Sequence, residues 1–552
     1  MARNTKVEKD TPADSGRTAA AEGGSSSGAP LRRTAEPRDK TDFSDLKFVV
    51  SNRRSGLREP DALKRSREAF SHSFATVLSA NVDVLHDLNP PDEEARRVVV
   101  VEGDPREIAR KMADLHPDVL VELYQPRYLQ RVEDPSILAL NRLVGCTPLN
   151  PGEGAQITLH ITAAGKPAAG ARATIYLAST GGAGKPATQC VATADSSGTA
   201  VGTYDPHVWT PAVALIEPAN GAWNVVARPV SDGQAIDLPP VTDSGPLGWW
   251  GLLTGATAYS EENGKGIKVG VADTGVGPHP YLNHVNRLGS FLNGQPTKGA
   301  KAATDCDRHG THVSGIIAAR PPSGPAFGGI AAGAELFMAR VFPSGHSEAG
   351  QGDIALAIEA LATQSEVDLI NLSLGGGPSM IEADAIQVAF EHGTLCLAAA
   401  GNGYGQPVLY PAALQNVVAI SALGLAGRIP PGAMEACNAP STPDKRTSTG
   451  MYVAVFSNYG PQIAAISPGD GIISTVPAGN GFAEPYVPMS GTSMACPVAT
   501  AALATLLGKN DSYKKMPRNG ERAAEARRIF QTTLFNLGLN PQYQGGGLIR
   551  QH

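Results

Sequence analysis

Residues 245–552 predict a doubly wound, mostly parallel α/β sheet, and the chain ahead of them predicts a small α+β unit and a β-sandwich. Three observations carry this reading. Apolar runs at 266–272, 366–374 and 395–400 read as buried strands. They end in Gly-rich turns and give way to amphipathic stretches, the alternation that wraps helices around a parallel sheet. Residues 145–242 instead carry short β-rich runs between Gly/Pro turns. In a doubly wound sheet, chemistry belongs at the carboxyl ends of the strands.

The chain has 552 residues, which is too long for one core, and two to four domains are expected. Residues 1–44 are polar, charged and rich in Gly, Ser and Ala, so they cannot bury enough surface to offset chain entropy and read as disordered. Residues 45–130 read as the α+β unit. Phe48-Val49-Val50 and Arg97–Val101 are strands, and Leu63, Phe70, Phe74, Val77 and Leu78 share one helical face. Asp104-Pro105-Arg106-Glu107 is a helix start, with Asp as cap and Pro in the first turn. Ile108, Met112 and Leu115 continue that helix, and Val119–Tyr124 closes the unit as a strand. In residues 145–242, runs such as Gln156–Ile161 and Ala173–Leu177 alternate with turns such as Asp195-Ser196-Ser197-Gly198, the spacing of an immunoglobulin-like sandwich. That unit reads as a spacer or a binding module.

Composition excludes several function classes. A net charge of −6 without a basic stripe speaks against a nucleic-acid partner. No apolar run of membrane-spanning length occurs, so no membrane span is expected. The N-terminus has basic residues but no apolar core behind them, so a cytoplasmic location is favoured, with secretion by another route left open. The six cysteines stand singly and suit reduced thiols, although a bridge such as Cys146–Cys190 stays open. No metal ligand set is assigned.

Three short signatures carry chemistry. Val271-Ala272-Asp273-Thr274-Gly275 sets an acid at the end of an apolar strand. His309-Gly310-Thr311-His312-Val313-Ser314-Gly315 can begin a helix packed tightly on a sheet, although alone it fits a metal site or a packing motif equally well. Gly491-Thr492-Ser493-Met494-Ala495-Cys496-Pro497 leads into an apolar helix, so Ser493 sits where unpaired N–H groups favour developing negative charge. Amide hydrolysis by a nucleophilic hydroxyl needs that nucleophile, a base for its proton and an acid that orients the base.

With their order Asp, His, Ser, these motifs resemble the subtilase (subtilisin-like serine peptidase) family. The resemblance covers residues 245–552 and includes Asn371–Gly376, Ala399-Ala400-Gly401-Asn402 and the closing Gln544–Ile549. It implies a catalytic triad of Asp273, His309 and Ser493, with His312 a buried structural histidine. It implies that the Asn402 side chain and the Ser493 N–H form the oxyanion hole, and that Ser373, Leu374 and Gly375 pair with substrate backbone. It further implies a polypeptide substrate, and that residues 45–130 are a propeptide-like inhibitor of the chain's own cleft. Cleavage is expected within Gln125–Gln130; Pro126 lacks an N–H, so Tyr128 or Leu129 is the expected residue at the scissile bond.

Departures qualify the resemblance. His279-Pro280-Tyr281-Leu282 stands where many secreted members have His-Pro-Asp-Leu with a calcium-ligating acid; tyrosine is no hard anionic ligand, so weaker calcium dependence and no cofactor are expected, with calcium for stability through unassigned ligands left open. Residues 425–452 read as a surface-loop insertion, with Lys445-Arg446 a candidate nicking site. Val498-Ala499 follows Pro497 where His-Val is frequent. Cys306 and Cys496 lie three residues from His309 and Ser493 and read as small apolar fillers or as thiols that block the site when modified. No charged residue is assigned to the base of the main specificity pocket. The expected activity is endopeptidase hydrolysis through an acyl-enzyme. A dedicated maturation peptidase or transpeptidase for one partner peptide, and a pseudoprotease scaffold, are the alternatives.

Overall fold

The computed structural model describes residues 46–78, 82–90, 94–112, 114–130, 154–180, 186–293, 295–322, 326–346 and 348–551. The expected disordered segment 1–44 and the whole stretch 131–153, Cys146 with it, lie outside the described residues.

The N-terminal unit is a four-stranded antiparallel sheet in the order Asp83–Leu88, Val98–Gly103, Leu46–Asn52, Val119–Leu123, with helices Pro60–Leu78 and Pro105–Met112. Its valine runs have a specific cause. Phe48, Val50, Val99, Val101, Val119 and Val121 face Phe70, Phe74 and Ile108 inside the unit. Val49, Val98, Val100 and Leu120 face the other way and share a core with Ile354, Ile358 and Ile381 of the C-terminal unit. Both faces are buried, so apolar residues run without alternation. Asp104 Oδ1 takes the Arg106 N–H at 2.8 Å, which is the expected cap. Leu78 and Met112 are exposed and lie outside the helical faces expected of them, each in the last residue of its helix, where the packing ends.

Buried charges hold the same seam. Arg96 is fully buried and donates to Glu359 and Asp384, and Arg54 reaches Glu359 as well. Burial works against the Arg96 charge, but Glu359 and Asp384 more than offset it, so its pKa is raised. Glu122 accepts from the Ser379 hydroxyl and the Met380 N–H, capping helix Met380–Glu391 from outside.

Residues 154–240 form two small sheets. One orders Thr199–Tyr204, Ala155–Ala163 and Gln234–Leu238; the other orders Val225–Ala227, Trp209–Glu217, Arg172–Ser179 and Pro186–Thr193. Ile157, Leu159, Ile175, Ile216 and Leu238 belong to the core they share. All pairings are antiparallel except Ala155–Ala163 with Gln234–Leu238. This pair of sheets rests on the 425–452 segment. Met434 donates its N–H to Asn224 O at 2.8 Å, and Asn224 Nδ2 donates to the buried Glu435. The segment is therefore more than the surface loop expected of it: Met434, Glu435 and Asn438 are buried, because they form the seat of the preceding unit. Lys445 lies over the rings of Tyr459 and Tyr543.

The C-terminal unit is built on an 11-stranded, mostly parallel sheet. Its central strands are Glu335–Arg340, Lys268–Asp273, Leu369–Leu372, Leu395–Ala399, Val417–Leu425 and Ile463–Pro468, all pairing in parallel. Antiparallel strands occur at its margins, including Leu534–Phe535 against Leu548–Ile549 in the closing segment. Alternate residues feed two cores: Leu395, Leu397 and Ala399 one, Cys396, Ala398 and Ala400 the other. Helix Thr492–Gly508 is buried along nearly its whole length and packs on this sheet, which fixes Ser493 at its start.

Candidate active site

Strand and helix ends deliver the three motif residues to one place. Asp273 is the last residue of its strand, His309 opens helix His309–Ala318, and Ser493 is the second residue of helix Thr492–Gly508. Gly491 caps that helix at φ 153, a positive-φ conformation that favours glycine. All three side chains are buried. Asp273 Oδ1 accepts from His309 Nδ1 at 2.8 Å and from the Thr274 N–H at 2.7 Å. His309 Nε2 is buried and has no partner among the described residues. The Ser493 hydroxyl donates to the Ser373 carbonyl at 2.9 Å rather than to the imidazole.

The loop before His309 is pinned by a residue the sequence reading missed. Asp305 accepts from the Thr274 hydroxyl at 2.8 Å, from the Asp307 and Arg308 N–H groups, and from the Thr311 N–H at 2.9 Å. Burial raises its pKa against those donors. Arg308 is held at φ 124, and its guanidinium reaches Pro218 O at 3.1 Å. His312 is wholly buried and bonds Val487 O at 3.1 Å; burial pushes its pKa down to about 3, as a neutral packing histidine requires.

Asn402 is oriented by Thr492, whose N–H and hydroxyl both donate to Asn402 Oδ1 at 2.9 Å. This leaves Asn402 Nδ2 as a buried donor without an acceptor among the described residues. Ser373 returns a bond to the same helix, its hydroxyl donating to Ser493 O at 2.8 Å. That carbonyl would ordinarily take the N–H of residue 497, and proline has none. Cys306 is half-buried and donates toward Thr274 O and Phe342 O at 3.5 Å, and Cys496 is wholly buried; burial raises both pKa values.

The cleft is occupied by the chain itself. Arg127–Leu129 forms the middle strand of a three-stranded sheet between Glu348–Ala349 and Leu374–Gly375, antiparallel to both. Leu129 pairs with Leu374 and Tyr128 with Gly375. The Gln130 N–H donates to Ser373 O at 3.4 Å, and Gln130 O accepts the Ser493 N–H at 3.1 Å. Gln130, rather than the expected Tyr128 or Leu129, therefore has its carbonyl at Ser493. Pro126 lies outside the paired strand, so its missing N–H costs the pairing nothing and does not set the register. The side chain of Gln130 accepts from the Asn402 N–H at 3.1 Å and donates to Gly375 O at 3.4 Å.

At the position where an acid would ligate calcium, Tyr281 donates its hydroxyl to Glu484 at 2.5 Å, and burial and Glu484 push its pKa to about 12. A neutral phenol committed to a carboxylate does not fit a calcium ligand there.

Residues 264–545 match the family described as the Subtilase family. The chain is 31% identical to Subtilisin BL of Lederbergia lenta over 279 residues, covering 50% of this chain and 89% of that one. It is 32% identical to the Major intracellular serine protease of Bacillus subtilis (strain 168) over 252 residues, covering 44% of this chain and 69% of that one. In fold it is similar to fervidolysin from Fervidobacterium pennivorans, with a TM-score of 0.53 at 20% identity, covering 93% of this chain and 61% of that chain.

Proposed function

This chain belongs to the subtilase family of serine peptidases, and on that premise we propose that it is an endopeptidase working through Asp273, His309 and Ser493 and held latent by its own residues 46–130. Ser493 Oγ attacks the peptide carbonyl, and His309 Nε2 takes its proton. Asp273 holds Nδ1–H and stabilises the imidazolium. The amide nitrogen leaves with that proton, and water hydrolyses the acyl-enzyme by the same relay. The oxyanion forms between the Ser493 N–H and Asn402 Nδ2.

The observation that carries this reading is the formed Asp273–His309 bond beside a serine whose N–H already holds a peptide carbonyl. It also speaks against a binding scaffold. Docking of Val49, Val98 and Val100, with the Arg96 charge network, supports residues 46–130 as an intramolecular inhibitor. The scissile bond is then Gln130–Arg131. Turnover requires the Ser493 hydroxyl to leave Ser373 O for His309 Nε2. Cys306, Cys396 and Cys496 are outside any disulfide, which suits a reducing compartment. Among the described residues no helix is long and apolar enough to cross a membrane.

A fluorophosphonate probe tests the reading. It should label the wild-type chain at Ser493 and label neither Ser493→Ala nor His309→Ala. Undiminished peptide hydrolysis by Ser493→Ala would overturn the assignment.

A further inference from the structure

Helix Met380–Glu391 begins Ser379-Met380-Ile381-Glu382, a pattern in which the glutamate ordinarily turns back to cap its own helix. Half of that box is present, with the Ser379 hydroxyl taking the Glu382 N–H at 3.1 Å. The carboxylate does something else. It accepts Arg127 Nε at 3.0 Å and Nη2 at 2.8 Å, both on Oε2. The Arg127 side chain is 0% exposed and that of Glu382 1%. Glu382 Oε1 is buried with no partner, and Arg127 is the one cation that pairs with Glu382 among the described residues.

Arg127 belongs to the strand in the cleft, three residues before the carbonyl held by Ser493. Glu382 is therefore a buried acid whose cation arrives with the cleft's occupant. The floor it lies in is shaped for a long side chain: a Cβ on Gly376 would meet Arg127 Nη1 at 2.9 Å and Cδ at 3.1 Å. Burial raises the Glu382 pKa in spite of Arg127, so the site resists holding its charge without that partner.

We propose that Glu382 selects arginine at the fourth position counted back from the attacked carbonyl, so that the peptidase's substrates are polypeptides with Arg-Xaa-Xaa ahead of the scissile residue. This rests on the endopeptidase reading above. The two guanidinium nitrogens on one oxygen favour arginine over lysine, whose single ammonium cannot present that fork. A neutral residue there forfeits the buried ion pair and obliges Glu382 to take up a proton or stay charged without a partner, a larger loss than that of an exposed pair.

The test uses the full chain, incubated until fluorophosphonate labelling of Ser493 reaches its plateau. Fluorogenic peptides Arg-Tyr-Leu-Gln, citrulline-Tyr-Leu-Gln and Ala-Tyr-Leu-Gln differ only at the fourth position, and citrulline keeps the shape of arginine without its charge. The arginine peptide should exceed both others in kcat/KM by on the order of 100-fold. In Glu382→Gln the arginine-to-citrulline ratio should collapse to about threefold or less. If that variant does not fold, the wild-type ratio decides alone. A chain that labels and cleaves all three peptides at similar rates overturns the arginine selection and leaves the peptidase reading standing. A chain that neither labels nor cleaves overturns both.

Discussion

The carbonyl oxygen of Gln130 accepts the backbone N–H of Ser493 at 3.1 Å, across 363 residues of sequence, which places a peptide bond of the chain itself against Ser493. The hold is on backbone as well as side chain. Gln130 N–H meets Ser373 O, Leu129 pairs with Leu374, and Tyr128 pairs with Gly375, so the segment binds as an added strand would. Asn402 Nδ2 stands nearby as an unsatisfied buried donor, as a group committed to a transition-state charge can be.

Removing that donor should affect kcat and leave KM nearly unchanged. Asn402→Ala is expected to lower kcat by on the order of 10²–10³, with fluorophosphonate labelling slowed in parallel. Thr492→Val removes one of the two bonds on Asn402 Oδ1 and should cost about fivefold to tenfold. Steady-state kinetics on one peptide check both; a rise in KM at constant kcat would assign Asn402 to ground-state binding.

Docking of the N-terminal unit should depend on Arg96. In the uncleaved Ser493→Ala chain, Arg96→Met leaves Asp384 without its buried cation and Glu359 with Arg54 alone, at a cost of about 3–5 kcal/mol. Hydrogen exchange in Val98–Gly103 should rise by on the order of 100-fold. Burial opposes the Asp384 charge, but Arg96, Ser55 and Arg54 outweigh it and hold its pKa below the ordinary 3.8. A depressed carboxyl contributes stability that is complete above its unfolded pKa and lost as pH falls through the folded one. Docking should therefore weaken in acid below about pH 4. Unchanged exchange in the variant would show that Arg96 does not hold the docked unit in place.

The seat of the β-sheet pair carries the opposite sign. Glu435 is wholly buried, and burial first, then Asp470 and Glu217, pushes its pKa from 4.5 up to about 8 in spite of the Asn224 bond. A raised carboxyl contributes stability that is complete below pH 4.5 and declines until pH passes about 8. Glu435→Gln keeps an acceptor for Asn224 and removes the ionisation. Its Tm at pH 8 should be higher by on the order of 2 °C or more, with a flatter profile between pH 4.5 and 8. A lower Tm at pH 8 would show that the charged form is accommodated.

Legibility followed the range of the interactions. Asp273, His309 and Ser493 each sit in a short motif whose glycines and small residues are local requirements, so the sequence marks them. Parallel strands such as Leu395–Ala399 are equally legible, because two-sided burial makes them continuously apolar. Gln130 was misplaced because its register follows from docking of a whole unit, which no local pattern records. The Arg127–Glu382 pair spans 255 residues, and Glu382 alone looks like half of a helix cap. Asp305 could have been noticed as an acid four residues before His309, but nothing local says that Thr274 and Thr311 converge on it. The 425–452 segment looked like a loop because its partner, Asn224, is distant in sequence.

Ser493 is expected to cut the bond whose carbonyl its own N–H already holds. N-terminal sequencing and intact-mass measurement of purified wild type beside Ser493→Ala test it most directly. A new N-terminus at Arg131 is expected in the wild type and absent from Ser493→Ala. A wild-type chain that is fully active with the Gln130–Arg131 bond intact would contradict it.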